Sequence, residues 1–171
     1  IYVAEESGLM KELGEFIIRT SLREIKMIQK ELNISFNLSI NISVVQLMEA
    51  DFLSNLLSAI AKENFNRSSL TLEITESLSI ESLDDVLPIL YEIQEHDIKI
   101  SLDDFGTGYS SLSILRELPI DELKIDKSFV DKILHDESER NLVESIINIG
   151  KNFHMKTLAE GVESIEQIEA L

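Results

Sequence analysis

A chain of 171 residues with 44% hydrophobic content can bury a core and form one globular domain, which excludes a disordered or low-complexity class. Its net charge of −17, from 32 acidic and 15 basic residues, argues against non-specific binding to nucleic acid or anionic membrane. The absence of cysteine excludes disulfides, zinc-thiolate sites and thiol catalysis, and no apolar run approaches the ~20 residues of a membrane span.

In chain order, Ser7 to Leu32 reads as a helix with an apolar stripe of Leu9, Leu13, Phe16 and Ile17, extended by Ile25, Ile28 and Leu32. Phe36 to Ser43 alternates as a strand, and Val44 to Lys62 reads as one helix. Leu70 to Thr75 alternates again, with Leu70, Leu72 and Ile74 against Thr71, Glu73 and Thr75. Ser82 to His96 reads as a helix burying Val86, Leu87, Leu90 and Ile93. Ile98, Ile100 and Leu102 mark a central strand that ends in Asp103 and Asp104. A loop with Gly106 and Gly108 follows, then a short helix over Ser110 to Leu118 stopped at Pro119. Glu122 to Asp126 is a short strand. Helices cover Phe129 to Leu134 and Glu137 to Phe153, the second burying Leu142, Val143, Ile146 and Ile147. Met155 to Glu160 is the last strand, and Ser164 with Gln167 has the spacing of a capping box for a final helix.

Strand and helix thus alternate five times, which predicts βα units, a mostly parallel sheet and a single domain over 1–171. In every strand the polar set shares its parity with a residue near the strand's C-terminal end: Asn41, Glu73, Asp103, Lys124 with Asp126, and Glu160. Equal parity means the same face. A parallel sheet covered on both faces reads apolar throughout, so one polar face is informative. In a (β/α) barrel such residues point to the C-terminal mouth, where active sites sit. An open sheet with one wet face is the alternative.

Adjacent carboxylates at a strand end repel each other, and a divalent cation removes that cost. The simpler alternative is a strand-to-helix turn in which Asp and Ser act only as caps. Glu73, Asp103, Asp104 and Glu160 are hard oxygen donors, and Asn41 adds an amide oxygen. This set suits Mg²⁺ or Mn²⁺ rather than zinc, and four carboxylates could hold two ions that act on a phosphodiester. Lys124 could orient the attacking water or neutralise phosphate; otherwise it is a surface or salt-bridged lysine. His96, His135 and His154 have no metal-ligand spacing among themselves. The G-T-G loop does not match a dinucleotide or P-loop fingerprint.

Six stretches together carry a family resemblance. They are A-E-E-S-G-L (Ala4 to Leu9), N-I-S (Asn41 to Ser43), L-E-I-T-E-S (Leu72 to Ser77) and D-D-F-G-T-G-Y-S-S-L (Asp103 to Leu112). L-P-I-D-E-L-K-I-D (Leu118 to Asp126) with S-F-V (Ser128 to Val130), and A-E-G-V-E (Ala159 to Glu163), complete the set. In this order they closely resemble the EAL-domain cyclic-di-GMP phosphodiesterases. The resemblance implies an α/β, TIM-like (β/α) barrel that hydrolyses cyclic di-GMP to linear pGpG with Mg²⁺ or Mn²⁺, in bacterial second-messenger signalling. It implies metal ligands at Asn41, Glu73, Asp103 and Asp104, action of Lys124 on the nucleophilic water, and an acid/base or metal-linked role for Glu160. Asp126 and Glu163 match further polar positions. Glu76 matches the residue that braces the loop after Asp104, so that Phe105, Gly106, Thr107 and Gly108, on to Ser111, would form a mobile loop coupling metal binding to dimerisation. Glu76 read as a helix-start carboxylate and Glu163 as a cap-proximal one are the plainer alternatives.

The resemblance also implies partners: cyclic di-GMP, a second copy in a homodimer, and GGDEF or sensory domains, with no DNA and no direct membrane insertion. The expected location is the cytoplasm, in a soluble protein or the cytoplasmic part of a larger membrane-attached one. The signature E-A-L glutamate and the last strand are expected to lie beyond the two ends, leaving about five βα units and an incomplete barrel. Activity is then expected of the parent protein. A non-catalytic cyclic-di-GMP receptor is the alternative function, and a purely structural module a third.

Overall fold

The computed structural model describes residues 9–75, 80–106 and 112–171, the side chains of 80–82 excepted. The chain forms two compact units, Ile1–Ile74 with Ser79–Lys99, and Thr75–Leu78 with Ile100–Leu171. Glu76, Thr107, Gly108, Ser110 and Ser111 lie outside the described residues, as does the segment before Leu9.

The first unit opens with helix α1 (Met10–Leu32). Its buried face is Met10, Gly14, Ile18 and Leu22, an i, i+4 ridge, and not the stripe read from the sequence. Leu9, Phe16, Ile17, Ile28 and Leu32 are exposed. Gly14 explains the difference: a Cβ there would overlap the Gln46 side-chain amide, so the closest approach runs along the ridge with the smallest residue. Strand β1 (Leu38–Asn41) is shorter than the expected Phe36–Ser43. The single helix expected over Val44 to Lys62 is two, α2 (Val44–Leu47) and α3 (Phe52–Lys62). Ser43 and Gln46 close a capping box on α2, and Lys11 ties α1 to Asp51, which precedes α3, at 2.8 Å. Strand β2 (Leu70–Thr75) pairs parallel with β1, Asn41 standing beside Glu73. Helix α4 (Ile80–Glu95) buries Leu83, Val86, Leu90 and Ile93, while Leu87 is half-buried.

Strand β3 (Lys99–Phe105) carries the chain into the second unit. It is followed by α5 (Leu112–Glu117), β4 (Glu122–Ile125), α6 (Lys127–Val130), α7 (Glu137–Asn152), β5 (Lys156–Ala159) and α8 (Ile165–Ala170). Both β3–β4 and β4–β5 are parallel pairs. Asp121 aligns the three strands at their entry: its N–H donates to the Ile100 carbonyl and its carboxylate accepts from the Ile100 N–H, both at 2.9 Å. Its carbonyl accepts from Lys156 N–H at 2.9 Å. With the starts fixed, the chemistry-bearing residues emerge together at the other ends. Val143 and Ile146 of α7 are buried, whereas Leu142, expected inside, is 37% exposed. The capping box of Ser164 and Gln167 starts α8 as expected.

Helices α1, α3, α4 and α7 end alike. Asn33, Asn64, Asp97 and His154 have φ of 54, 47, 60 and 59° just after their helices. This is the left-handed closure of a helix end, taken by residues that tolerate it. After α3 and α7 the next N–H completes the motif, Phe65 donating to Ile60 at 3.1 Å and Met155 to Gly150 at 2.9 Å.

Candidate active site

A fifth left-handed residue other than glycine, Asp104 at φ 57°, sits inside a strand and closes no helix. The β3–β4 register explains it. Leu102 pairs with Leu123 and Phe105 with Ile125, so two residues of β3, Asp103 and Asp104, oppose one residue of β4, Lys124. This is a β-bulge, uncommon in a parallel pair, and a left-handed residue is one way to make it. The strand therefore does not stop at the aspartates, as the alternation of Ile98, Ile100 and Leu102 indicates. It passes through them to Phe105, which is 7% exposed and paired. Phe105 is thus part of the strand, not of the following loop, because its ring belongs to the core. Gly106, at φ 99°, begins the turn. A Cβ there would stand 3.1 Å from the Phe129 ring, so both conformation and space call for glycine.

Carboxylates from two different strand ends, one of them in the bulge, meet at one ammonium. Lys124 Nζ lies 2.9 Å from Asp103 Oδ1 and 2.6 Å from Glu160 Oε1. The Lys124 side chain is 8% exposed and that of Asp103 14%, while Glu160 is 35% exposed, so the ammonium and Asp103 are largely desolvated and Glu160 faces solvent in part. Glu160 reaches it because its N–H continues the β5 ladder, donating to the Ile125 carbonyl at 3.1 Å. The Asp104 N–H donates to Asp103 Oδ1 at 3.1 Å, which fixes the neighbouring carboxylate. Burial pushes the Asp104 carboxyl above the usual range, and the charges of Asp103, Asp126 and Glu160 push the same way, against the pull of Lys124. A half-buried carboxylate crowded by acids in this way favours an added cation.

Asp126 lies just past β4 and caps α6, its carboxylate accepting from the Ser128 N–H at 3.0 Å. Hydrogen bonding from the Ser128 side chain, together with that N–H, holds its carboxyl below the usual range. Glu163 is on the surface, 2.6 Å from Lys127. In the first unit, Asn41 ends β1, exposed, beside Glu73 on β2, which is 8% exposed; the Ile42 N–H donates to the Glu73 carbonyl at 2.8 Å. Among the described residues, no three Asp, Glu or His side chains stand together as a preformed ion cage.

Sequence reasoning did not single out Ser101, Lys127 or the second role of Gln167. Ser101 is fully buried and its hydroxyl lies 3.4 Å from Glu122 Oε1; a serine interrupting Ile100 and Leu102 was the available signal. Gln167 stood out only as a helix-start residue.

Residues 1–171 match the model of the EAL domain throughout. The chain is 35% identical over 169 residues to the bifunctional diguanylate cyclase/cyclic di-GMP phosphodiesterase MucR of Pseudomonas aeruginosa, covering 99% of the chain and 25% of that protein. It is 31% identical over 171 residues to the cyclic di-GMP phosphodiesterase NbdA of the same organism, covering 100% of the chain and 22% of the relative. The chain therefore spans about a quarter of the length of these curated relatives. Among solved structures, the MucR phosphodiesterase in complex with c-di-GMP is 35% identical at a TM-score of 0.90, over 99% of this chain and 68% of that one. The EAL enzyme Bd1971, in its form bound to cAMP and cyclic di-GMP, is 34% identical at a TM-score of 0.94, over 100% of this chain and 47% of that one. These structures share the α/β, TIM-like fold class that the alternation of strands and helices indicates. The chain belongs to the EAL-domain family.

Proposed function

We propose that this chain is the catalytic domain of a metal-dependent phosphodiesterase that hydrolyses cyclic di-GMP to linear pGpG in bacterial second-messenger signalling. The observation that carries the reading is the Lys124 ammonium, buried and bridged between Asp103 and Glu160 beside the Asp103–Asp104 bulge. The activities for which MucR and NbdA are named support it. In the proposed reaction a water oxygen forms a new bond to phosphorus, the ester bond to a ribose 3′ oxygen breaks, and that oxygen takes a proton.

The donors present fit hard divalent cations, Mg²⁺ or Mn²⁺, proposed here as two ions. Asp103 and Asp104 would hold metal, with Asn41 and Glu73 as further ligands on the strength of the sequence resemblance. When bound, such ions supply charge stabilisation and a more acidic water. Lys124 holds positive charge beside the attacked phosphate and orients the water. Glu160 receives or returns a proton while its contact with Lys124 keeps it placed. Asp126 and Glu163 support the turns on either side. Glu76 and the loop through Thr107 and Gly108 remain in the proposal as the brace and the segment linked to dimerisation.

GGDEF or sensory domains are proposed as companions, because the curated relatives extend well beyond the matched region and MucR is named for both activities. A homodimer, a cytoplasmic setting and a domain truncated at both ends rest on the resemblance alone. No described helix is long and apolar enough to cross a membrane.

The test is hydrolysis of cyclic di-GMP with Mg²⁺ or Mn²⁺, for this chain beside a version extended at both ends. Turnover is expected at least in the extended version, and Asp103→Asn or Glu73→Gln should abolish it while circular dichroism stays unchanged. Binding of the dinucleotide without cleavage would favour the receptor reading, and unchanged turnover in either variant would remove the metal-site assignment.

A further inference from the structure

Lys124 and Glu160 meet at 2.6 Å, yet they come from different strand ends, and each is followed by a turn of its own. After Lys124 the chain enters α6, capped by Asp126 and ending at Val130. After Glu160 it passes Gly161, at φ 67°, and reaches the capping box of α8. What joins these two turns is the side chain of Gln167, itself 9% exposed. Its Oε1 accepts from the Glu163 N–H at 2.7 Å and the Ser164 N–H at 3.0 Å. Its Nε2 donates to the Val130 carbonyl at 3.2 Å. A capping box needs only the exchange with Ser164. The bonds to Glu163 and Val130 exceed it, and a buried amide with both ends engaged is fixed in orientation.

We infer that Gln167 is a positioning residue for the Lys124–Glu160 contact, its amide clasping the turn after Glu160 to the helix after Lys124. The inference rests on the assignment of Lys124 and Glu160 to the proposed reaction. Two surface contacts run parallel to the clasp. Lys127 pairs with Glu163 at 2.6 Å, and the Lys127 stem lies where a Cβ of Gly161 would be. Both lysine and glutamate are exposed, so the ion pair is a weak strap, while the buried amide is the firm one.

The chemistry of the clasp supplies its own test. Gln167→Glu keeps an acceptor for the Glu163 and Ser164 N–H groups, and so keeps the capping box, but sets an oxygen against the Val130 carbonyl. Ser164→Ala does the opposite, removing a cap bond and leaving the bridge. The first readout is acylation of Lys124 in metal-free protein by an amine-reactive ester, followed by mass spectrometry. Gln167→Glu should raise the labelling rate roughly fivefold, the population shift that follows from losing one buried hydrogen bond. Ser164→Ala should leave it within about twofold, since the bridge remains. The second readout is turnover of cyclic di-GMP by the parent protein. Gln167→Glu should lower kcat roughly 10- to 100-fold by misplacement, with KM little changed. Should Gln167→Glu fail to fold by circular dichroism, Gln167→Met, which keeps the length and removes both contacts, takes its place with the same expectation. Equal labelling in wild type and the Gln167 variant, or an equal rise in Ser164→Ala, would overturn the inference. Labelling as expected in a wild-type protein that hydrolyses nothing would instead count against the phosphodiesterase reading and leave the clasp standing.

Discussion

Lys11 and Lys124 each meet two carboxylates. In the first unit, Lys11 lies 2.8 Å from Asp51 and 3.6 Å from Glu49, with its side chain 42% exposed. In the second, Lys124 lies 2.9 Å from Asp103 and 2.6 Å from Glu160, with its side chain 8% exposed. Each lysine touches a carboxylate at hydrogen-bond distance, and the surroundings differ. Water screens the Lys11 cluster, and its geometry follows from two helices that pack for other reasons. Lys124 and Asp103 have lost most of their hydration, Glu160 keeps part of its own, and a bulge and two strand ends hold the charges in place. The same three-residue chemistry serves as surface trim in one unit and as a candidate reaction centre in the other. Burial and backbone irregularity separate them; charge pairing does not.

That difference sets how each cluster should respond to damage. The largest effect is expected from Lys124→Met, which should lower turnover of cyclic di-GMP by roughly 10²- to 10⁴-fold, the range for losing a group that manages protons in a transition state. Steady-state assays with circular dichroism beside them check this, and retained turnover would place Lys124 with Lys11 as an ordinary ion-pair partner. Next, Asp104→Gly should stabilise the metal-free protein by about 1 kcal/mol, because a left-handed residue in a strand carries backbone strain that glycine lacks. Urea unfolding reads it directly, and a loss of stability would mean that the Asp104 carboxylate contributes more than its backbone costs. The same variant should bind Mn²⁺ more weakly, which calorimetry can follow.

Smaller effects belong to the exposed cluster. Lys11→Met should leave turnover unchanged and move the thermal midpoint by no more than about 2–4 °C. A larger shift would show that exposure alone does not rank the two clusters. The smallest effect is in pH dependence. Lys11 holds the Asp51 carboxyl below its ordinary range, so this pair adds stability above the unfolded carboxyl's titration and loses it as pH falls through the lowered folded value. Asp51→Asn should therefore differ from wild type at neutral pH and converge with it in acid. Asp51 in turn raises Lys11, so the contribution also fades as strong alkali takes the ammonium's proton. Thermal melts across the acid range test the first limb.

The strands were the most legible part of the chain, because alternation marks them and their polar parity points to one end. Asn41, Glu73, Asp103, Lys124 and Glu160 were all reached that way. The bulge was not legible, since periodicity fixes faces only while one residue opposes one, and the second aspartate breaks that rule. Alternation alone would have put Asp104 on the face of Leu102. Helix faces were read less well where a small residue decides the packing. Phe16 and Ile17 looked like core beside Gly14, yet the glycine marks the contact, and large apolar side chains were left outside. Leu142 was misread for a related reason, since an apolar position at the edge of a helix stripe is assigned by its neighbours and not by its own hydropathy. The clasp at Gln167 was half visible, because capping-box spacing identifies the residue but not the carbonyl that its other end finds.

The one-residue surplus in β3 bears on how such a chain can drift. Deleting either Asp103 or Asp104 would let Leu102 and Phe105 join an unbroken ladder against β4, one carboxylate facing Lys124, with the backbone strain removed. A lineage freed from the need to turn over its substrate would gain stability through that single deletion. Selection for folding alone would therefore run against the site.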